Sequence, residues 1–203
     1  MTLRVAVFAS GGGTNFQALL DHQRPGGSWE IVLLVTDRAD AGAVARARGA
    51  GVDVGVVSTK GRDLSDVGRE MLGLLEAHAV DVIALAGYLK LVPPTVVARY
   101  PGRILNIHPA LLPSFGGKGM YGMNVHRAVI EAGVAESGAT VHLVDEEYDR
   151  GRILAQRRVP VEAGDTAEQL AARVLEVEHR LYPEAVDHLC EALSAGREPG
   201  PLE

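Results

Sequence analysis

Residues 3–22 read LRVAVFASGGGTNFQALLDH. Leu3 to Ala9 form a short, β-branched, nearly continuous apolar run, the pattern of a strand buried on both faces. Glycines follow, and then NFQALLDH has helical spacing. A strand running through a glycine turn into a helix is the opening unit of an α/β fold.

The same alternation continues outward from this unit. IVLLVTD (31–37), VDVGVVS (52–58), VDVIALAG (80–87) and RILNIH (103–108) read as further strands. Between them, AGAVARARGAG reads as a short helix ending in glycine. GRDLSDVGREMLGLLEAHAV carries a helical stripe of Leu64, Val67, Met71, Leu74 and Leu75. The Pro93–Pro94 pair opens another short helix. Strands alternating with helices predict right-handed βαβ units and a parallel sheet covered on both faces. Past residue 110 the pattern changes. A glycine-rich loop, SFGGKGMYG, leads into a helix near 122–132. Two closely connected strands, GATVHLVD (138–145) and RILAQRRVPV (152–161), predict an antiparallel pair. A long helix runs from about Thr166 to Leu193, with Asp165 or Thr166 as its cap, and the tail SAGREPGPLE reads as frayed. The expected fold is a three-layer, Rossmann-like, mostly parallel sheet of about seven strands. It has an antiparallel pair in its C-terminal half and a long C-terminal helix. Residues 1–203 read as a single domain, with a nucleotide-phosphate half (1–100), a catalytic half (101–193) and the tail (194–203).

Composition narrows the function. The 203 residues are 47% hydrophobic and only 4% aromatic, so the core is mostly Val, Leu, Ile and Ala. The formal charge of −6 argues against nucleic-acid binding driven by counterion release. The lone cysteine, Cys190, forms no intrachain disulfide, which fits a reducing cytosol. MTLRVAVFASGGG is too short in its apolar run for a signal peptide, and no stretch is long enough for a membrane helix. The expectation is a cytoplasmic protein without membrane or nucleic-acid partners.

In a doubly wound sheet, ligands bind beyond the carboxyl ends of strands. The ASGGGTN loop lies there, and free N–H groups at a helix start favour an anion. Gly12, Gly13, Thr14 and Asn15 are therefore candidate phosphate binders. The plainer reading is a tight turn with Thr14 or Asn15 capping the helix. A dinucleotide fingerprint needs G-x-G-x-x-G, but Phe16 stands where the third glycine belongs. Asp37, at the end of the second strand, keeps an NAD(P) enzyme as an alternative.

Asn106 and His108 end the fifth strand two residues apart, so they face one space. Pro109 keeps His108 out of the helical region. A second polar cluster, DEEYDRG (145–151), ends another strand, and His142 lies just inside it. His108, His142 and Asp149 could form a metal site, but no H-E-x-x-H and no second cysteine supports one. Ser10 and Ser114 lack a nucleophile-elbow pattern. An amide, an imidazole and a carboxylate without a nucleophilic side chain suit direct acyl-type transfer between two bound substrates. An Asn N–H and an imidazolium stabilise the oxyanion. A neighbouring carboxylate raises the imidazole pKa.

ASGGGTNFQAL, AGYLKLV, NIHPALLPSF, GKGMYG and GATVHLVDEEYDRGRILAQ together resemble the phosphoribosylglycinamide formyltransferase family of folate-dependent enzymes, in order over roughly residues 3–193. The resemblance implies transfer of the formyl group of 10-formyltetrahydrofolate, a cosubstrate, to the amino group of glycinamide ribonucleotide in purine synthesis, without a metal. By position it implies that Asn106 binds the formyl oxygen, His108 is the general acid, and Asp149 raises the His108 pKa. Gly13, Thr14 and Asn15 would hold the phosphate, and Glu178 the ribose. Leu89, Lys90, Leu91 and Val92 would line the folate pocket, largely through backbone groups. The 144–149 loop, with Val144 and Asp145, would wrap the pterin. Arg62 would reach the folate's acidic tail, and His142 would support the site from behind. The implied assembly is a monomer or homodimer.

This chain departs from the family's usual pattern at Gly116, where proline is common, and at Arg150 and Arg152, which flank the glycine after Asp149. The nearest rival is formyltetrahydrofolate hydrolase, which uses water as acceptor. That enzyme usually carries a preceding regulatory domain and a different first loop. Methionyl-tRNA formyltransferase is disfavoured by the acidic charge and the lack of its C-terminal domain.

Overall fold

Along β1 (Leu3–Phe8) the side chains alternate between two cores. Val5 and Val7 pack with Phe16 and Leu19 on one face of the sheet. Ala6 and Phe8 pack with Val67, Met71 and Leu75 on the other. The period-2 reading thus explains the three layers directly. The computed structural model describes residues 2–145 and 149–202. β1 is joined by β2 (Trp29–Thr36), β3 (Asp53–Val56), β4 (Val82–Leu85), β5 (Ile104–His108), β6 (Glu136–Leu143) and β7 (Ile153–Pro160). The order is β3-β2-β1-β4-β5-β6-β7. The pairings from β3 to β5 are parallel. Both β5–β6 and β6–β7 are antiparallel, so the reversal begins one strand earlier than the hairpin alone implies.

One face carries α1 (Thr14–His22), α2 (Gly42–Gly49), α5 (Met123–Ala132) and α6 (Ala167–Ser194). The other carries α3 (Leu64–Ala77) and α4 (Pro94–Arg99), with Pro94 in the first turn of α4 as its backbone permits. α1 begins at Gly13, in the left-handed region at φ 73°, with no side-chain cap, so neither Thr14 nor Asn15 caps it. Thr166 and Gln169 form a reciprocal capping box at the start of α6, and Asp165 instead pairs with Arg173. The buried Tyr182 hydroxyl of α6 sits 2.9 Å from Leu85 O and 3.3 Å from Leu105 O, tying the helix to β4 and β5.

The C-terminal segment is docked, contrary to the frayed reading. Leu202 N donates to Leu154 O, His188 Nε2 to Gly200 O at 2.8 Å, and Pro199 is buried. The physical reason is an open edge. β7 leaves carbonyls on its outer side, and Leu202 finds apolar core beside them. Among the described residues no helix is long and apolar enough to cross a membrane.

The strand order turns back between β1 and β4, the switch point where an α/β sheet opens a crevice. Ser10 N donates to Gly87 O there at 3.1 Å.

Candidate active site

Cross-strand pairing builds the centre of the site. Asn106 on β5 is the register partner of His142 on β6. Asn106 Nδ2 lies 3.0 Å from His142 Nε2, and His142 Nδ1 lies 2.9 Å from Leu143 O. A carbonyl only accepts, so Nδ1 donates. With Nδ1 carrying the proton, the Nε2 lone pair accepts from the Asn106 amide, which keeps a second N–H free. His108 follows the same logic. Its Nε2 donates to Phe115 O at 2.8 Å, leaving Nδ1 as the nitrogen that can gain or lose a proton. That Nδ1 is 3.7 Å from Asp149 Oδ2, while Asp149 Oδ1 is 3.5 Å from His142 Nε2. Asp149 also accepts from Gly117 N at 2.8 Å, which ties the glycine-rich loop to the carboxylate.

Backbone strain marks both supports of His108. Phe115 and Asp149 each have φ of 55°, a region that residues with a Cβ seldom enter. Nearby glycines make room. A Cβ at Gly151 would collide with Leu143 O, and one at Gly116 would stand 2.6 Å from Leu112 Cδ2 and 3.3 Å from Asp149 Cβ. Gly116 therefore leaves space for the strained Asp149 turn. Arg152, the second departure, faces Glu198 of the docked segment at 3.6 Å.

Two opposing effects act on His108. Burial pushes His108 down, and this outweighs the upward pull of Asp149 and of the Phe115 hydrogen bond. The carboxylate acts in the expected direction, but the ring is too enclosed for its charged form to win. Asp149 itself is held below the usual carboxylate range. Burial raises it, but a hydrogen bond from His142 when that ring is protonated, the Gly117 N–H, and the positive charge of either ring in its protonated form prevail.

These groups open into a cavity of about 790 Å³. Asn106, His108, His142, Val144, Asp145 and Asp149 line it, as do Leu89, Lys90, Leu91 and Val92. Asn15 and Glu178 belong to the same wall, joined by Asn15 Nδ2 to Glu178 Oε2 at 2.8 Å. Glu178 is only 6% exposed, and burial lifts its carboxyl to about 7 against the pull of Asn15. Gly12, Gly13 and Thr14 lie outside the cavity wall, although their N–H groups have no acceptor among the described residues.

Three expectations are not met. Arg62 is absent from the cavity because Glu70 Oε2 and Ser58 O hold its guanidinium at 2.6 and 3.2 Å. Leu89 N is not available to a ligand, since it donates to Ser10 Oγ at 3.0 Å. The dinucleotide reading also fails. Phe16 fills the core where the third glycine would let helix and strand close up, and Asp37 faces Lys90 Nζ at 3.7 Å. Within the loop expected to wrap a pterin, positions 146–148 lie outside the described residues.

Sequence reasoning missed His126. It is buried on α5, lines the cavity, leaves Nδ1 without a partner, and is held below its ordinary pKa by burial and by His108. Its only sequence signal is a histidine placed beside Val125 on the apolar face that Val129 continues.

The profile of the formyl transferase family matches residues 3–186. The chain is 50% identical over 200 residues to the chloroplastic phosphoribosylglycinamide formyltransferase of Arabidopsis thaliana, covering 97% of this chain and 68% of that protein. To the Escherichia coli phosphoribosylglycinamide formyltransferase it is 37% identical, covering 89% and 84%. The crystal structure of the Brucella melitensis phosphoribosylglycinamide formyltransferase superposes with a TM-score of 0.85 at 45% identity, over 94% of this chain and 96% of that one.

Proposed function

The chain belongs to the formyl transferase family, and from that membership we propose that it moves the formyl group of 10-formyltetrahydrofolate to the amino group of 5'-phosphoribosylglycinamide. The products are formylglycinamide ribonucleotide and tetrahydrofolate, a step of de novo purine synthesis. One observation carries the assignment of residues. Asn106, His108 and Asp149 converge on a single cavity that has the Asn15–Glu178 pair on one wall and the Leu89–Val92 segment on another.

The residues divide the work. Glu178 accepts hydrogen bonds from the ribose, and the N–H groups of Gly12, Gly13, Thr14 and Asn15 meet the phosphate. Residues 89–92, Val144 and Asp145 enclose the folate. Asn106 donates its free N–H to the formyl oxygen as the attacking amine adds to the formyl carbon and that oxygen becomes negative. His108, neutral in the free enzyme, takes the amine's proton on Nδ1. The resulting imidazolium faces Asp149 and the oxyanion together. The same proton then passes to the folate nitrogen as its bond to carbon breaks. His108 thus acts as base before it acts as acid. The enzyme works in the cytoplasm as a monomer or homodimer, a setting supported by the unpaired Cys190.

Mixing the protein with 10-formyltetrahydrofolate, with and without glycinamide ribonucleotide, tests this. Formyl release is expected only with the nucleotide. Release that ignores the nucleotide would instead identify a hydrolase.

A further inference from the structure

The loop that carries Gly12 and Gly13 is held from behind by a cation. Arg46, on α2, donates from Nε to Gly12 O at 2.8 Å and from Nη1 to Gln17 Oε1 at 3.0 Å. Both acceptors are neutral. Among the described residues the guanidinium forms no ion pair. Its charge is still felt nearby. His179 on α6 is held low by burial and then by Arg46, and its Nε2 has no partner.

A planar trans peptide points its C=O and its N–H in opposite directions. Gly12 O faces Arg46, so Gly13 N–H faces away, toward the front of the loop, and donates to nothing among the described residues. A second observation points to a ligand at this front. Asn15 Oδ1 is buried without a hydrogen-bond partner, and the nearly enclosed Glu178 that Asn15 holds lines the same cavity. Backbone N–H groups at a helix start offer a partial charge of only about +0.5. A dianion entering a protein of net charge −6 calls for more.

We propose that Arg46 is a positioning residue for the ribonucleotide's phosphate. It polarises the Gly12–Gly13 peptide and backs the cradle with a fixed positive charge. The proposal rests on the reading of this loop as the phosphate site. Arg46 needs no contact with the phosphate. Its forked donors fix the loop, and its charge acts through the peptide.

The test crosses enzyme variants with two acceptors. Rates are measured with 10-formyltetrahydrofolate and either glycinamide ribonucleotide or the riboside lacking the phosphate. Arg46→Gln is expected to raise KM for the ribonucleotide on the order of tenfold, with kcat nearly kept. It leaves KM for the folate, and kcat/KM for the riboside, unchanged. Arg46→Lys recovers part of the loss. Equal losses on both acceptors would overturn the proposal and leave Arg46 as loop scaffolding. A wild-type enzyme indifferent to the phosphate would overturn the cradle reading beneath it.

Discussion

His108 holds its proton-accepting nitrogen toward a carboxylate while its other nitrogen is locked on Phe115 O. Replacing it with Ala removes the only route we assign to the amine's proton. Asn106→Ala removes one oxyanion donor. Each substitution is expected to lower kcat by about 10²–10³ while substrate binding persists, and rates near wild type would remove that residue from the mechanism. Glu178 makes a different prediction. Its carboxyl is pushed up to about 7, so it is largely ionised above that pH and largely protonated below it. An ionised carboxylate accepts from ribose hydroxyls better than a protonated one. KM for the ribonucleotide therefore rises as pH falls through about 7, and Glu178→Gln abolishes that limb. At this scale the sequence was informative where side chains end a strand. Asn106 and His108 are two such residues. It was silent where a polar group hides on an apolar helical face, as His126 does, because the face alone predicts packing.

Gly151 shows how an element constrains the chemistry. The β6–β7 connection returns so tightly that any Cβ there meets the Leu143 carbonyl. Gly151→Ala is expected to destabilise the protein by about 1–3 kcal/mol, the usual range for overpacking. It should also reduce kcat, because Asp149 shares the turn. A variant with wild-type kcat would show that the turn does not place the carboxylate. The strands, the helices and the start of α6 at Asp165 or Thr166 were legible because local pattern decides them; the choice of Thr166 came with its reciprocal pairing to Gln169. Two element-level features were not. Leu202 docks on β7 through contacts far apart in sequence, and a segment rich in Gly, Pro and charge looks locally unstructured. The Arg62 side chain was assigned to a ligand, yet Glu70, eight residues on, reaches it first.

Across the whole molecule, buried titratable groups tilt stability in opposite directions near neutrality. His108 and His126 are held low, chiefly by burial. Below about pH 6.5 the unfolded chain binds protons that the native rings refuse. Their contribution is full above that pH and is lost as pH falls toward the native values. Glu178 does the reverse. Between roughly pH 4.3 and its raised value the native chain binds a proton that the unfolded chain does not. Its protonation therefore adds stability as pH falls. Between about pH 7.5 and about pH 5.5, Tm is expected to drop more steeply in Glu178→Gln than in wild type, and less steeply in His126→Gln. Equal slopes in all three would refute this assignment. The mostly parallel sheet followed from alternation of strands and helices, but its strand order and the meeting of Asn15 with Glu178 could not, since nothing local links residues so distant. The pairing of Asn106 with His142 across neighbouring strands has a wider consequence. Because ladder hydrogen bonds set that spacing, the reactive amide keeps its aim however the side chains around it vary. A lineage can thus remodel its substrate range by substitution in the cavity wall, while the connections that carry Phe115 and Asp149 hold their length.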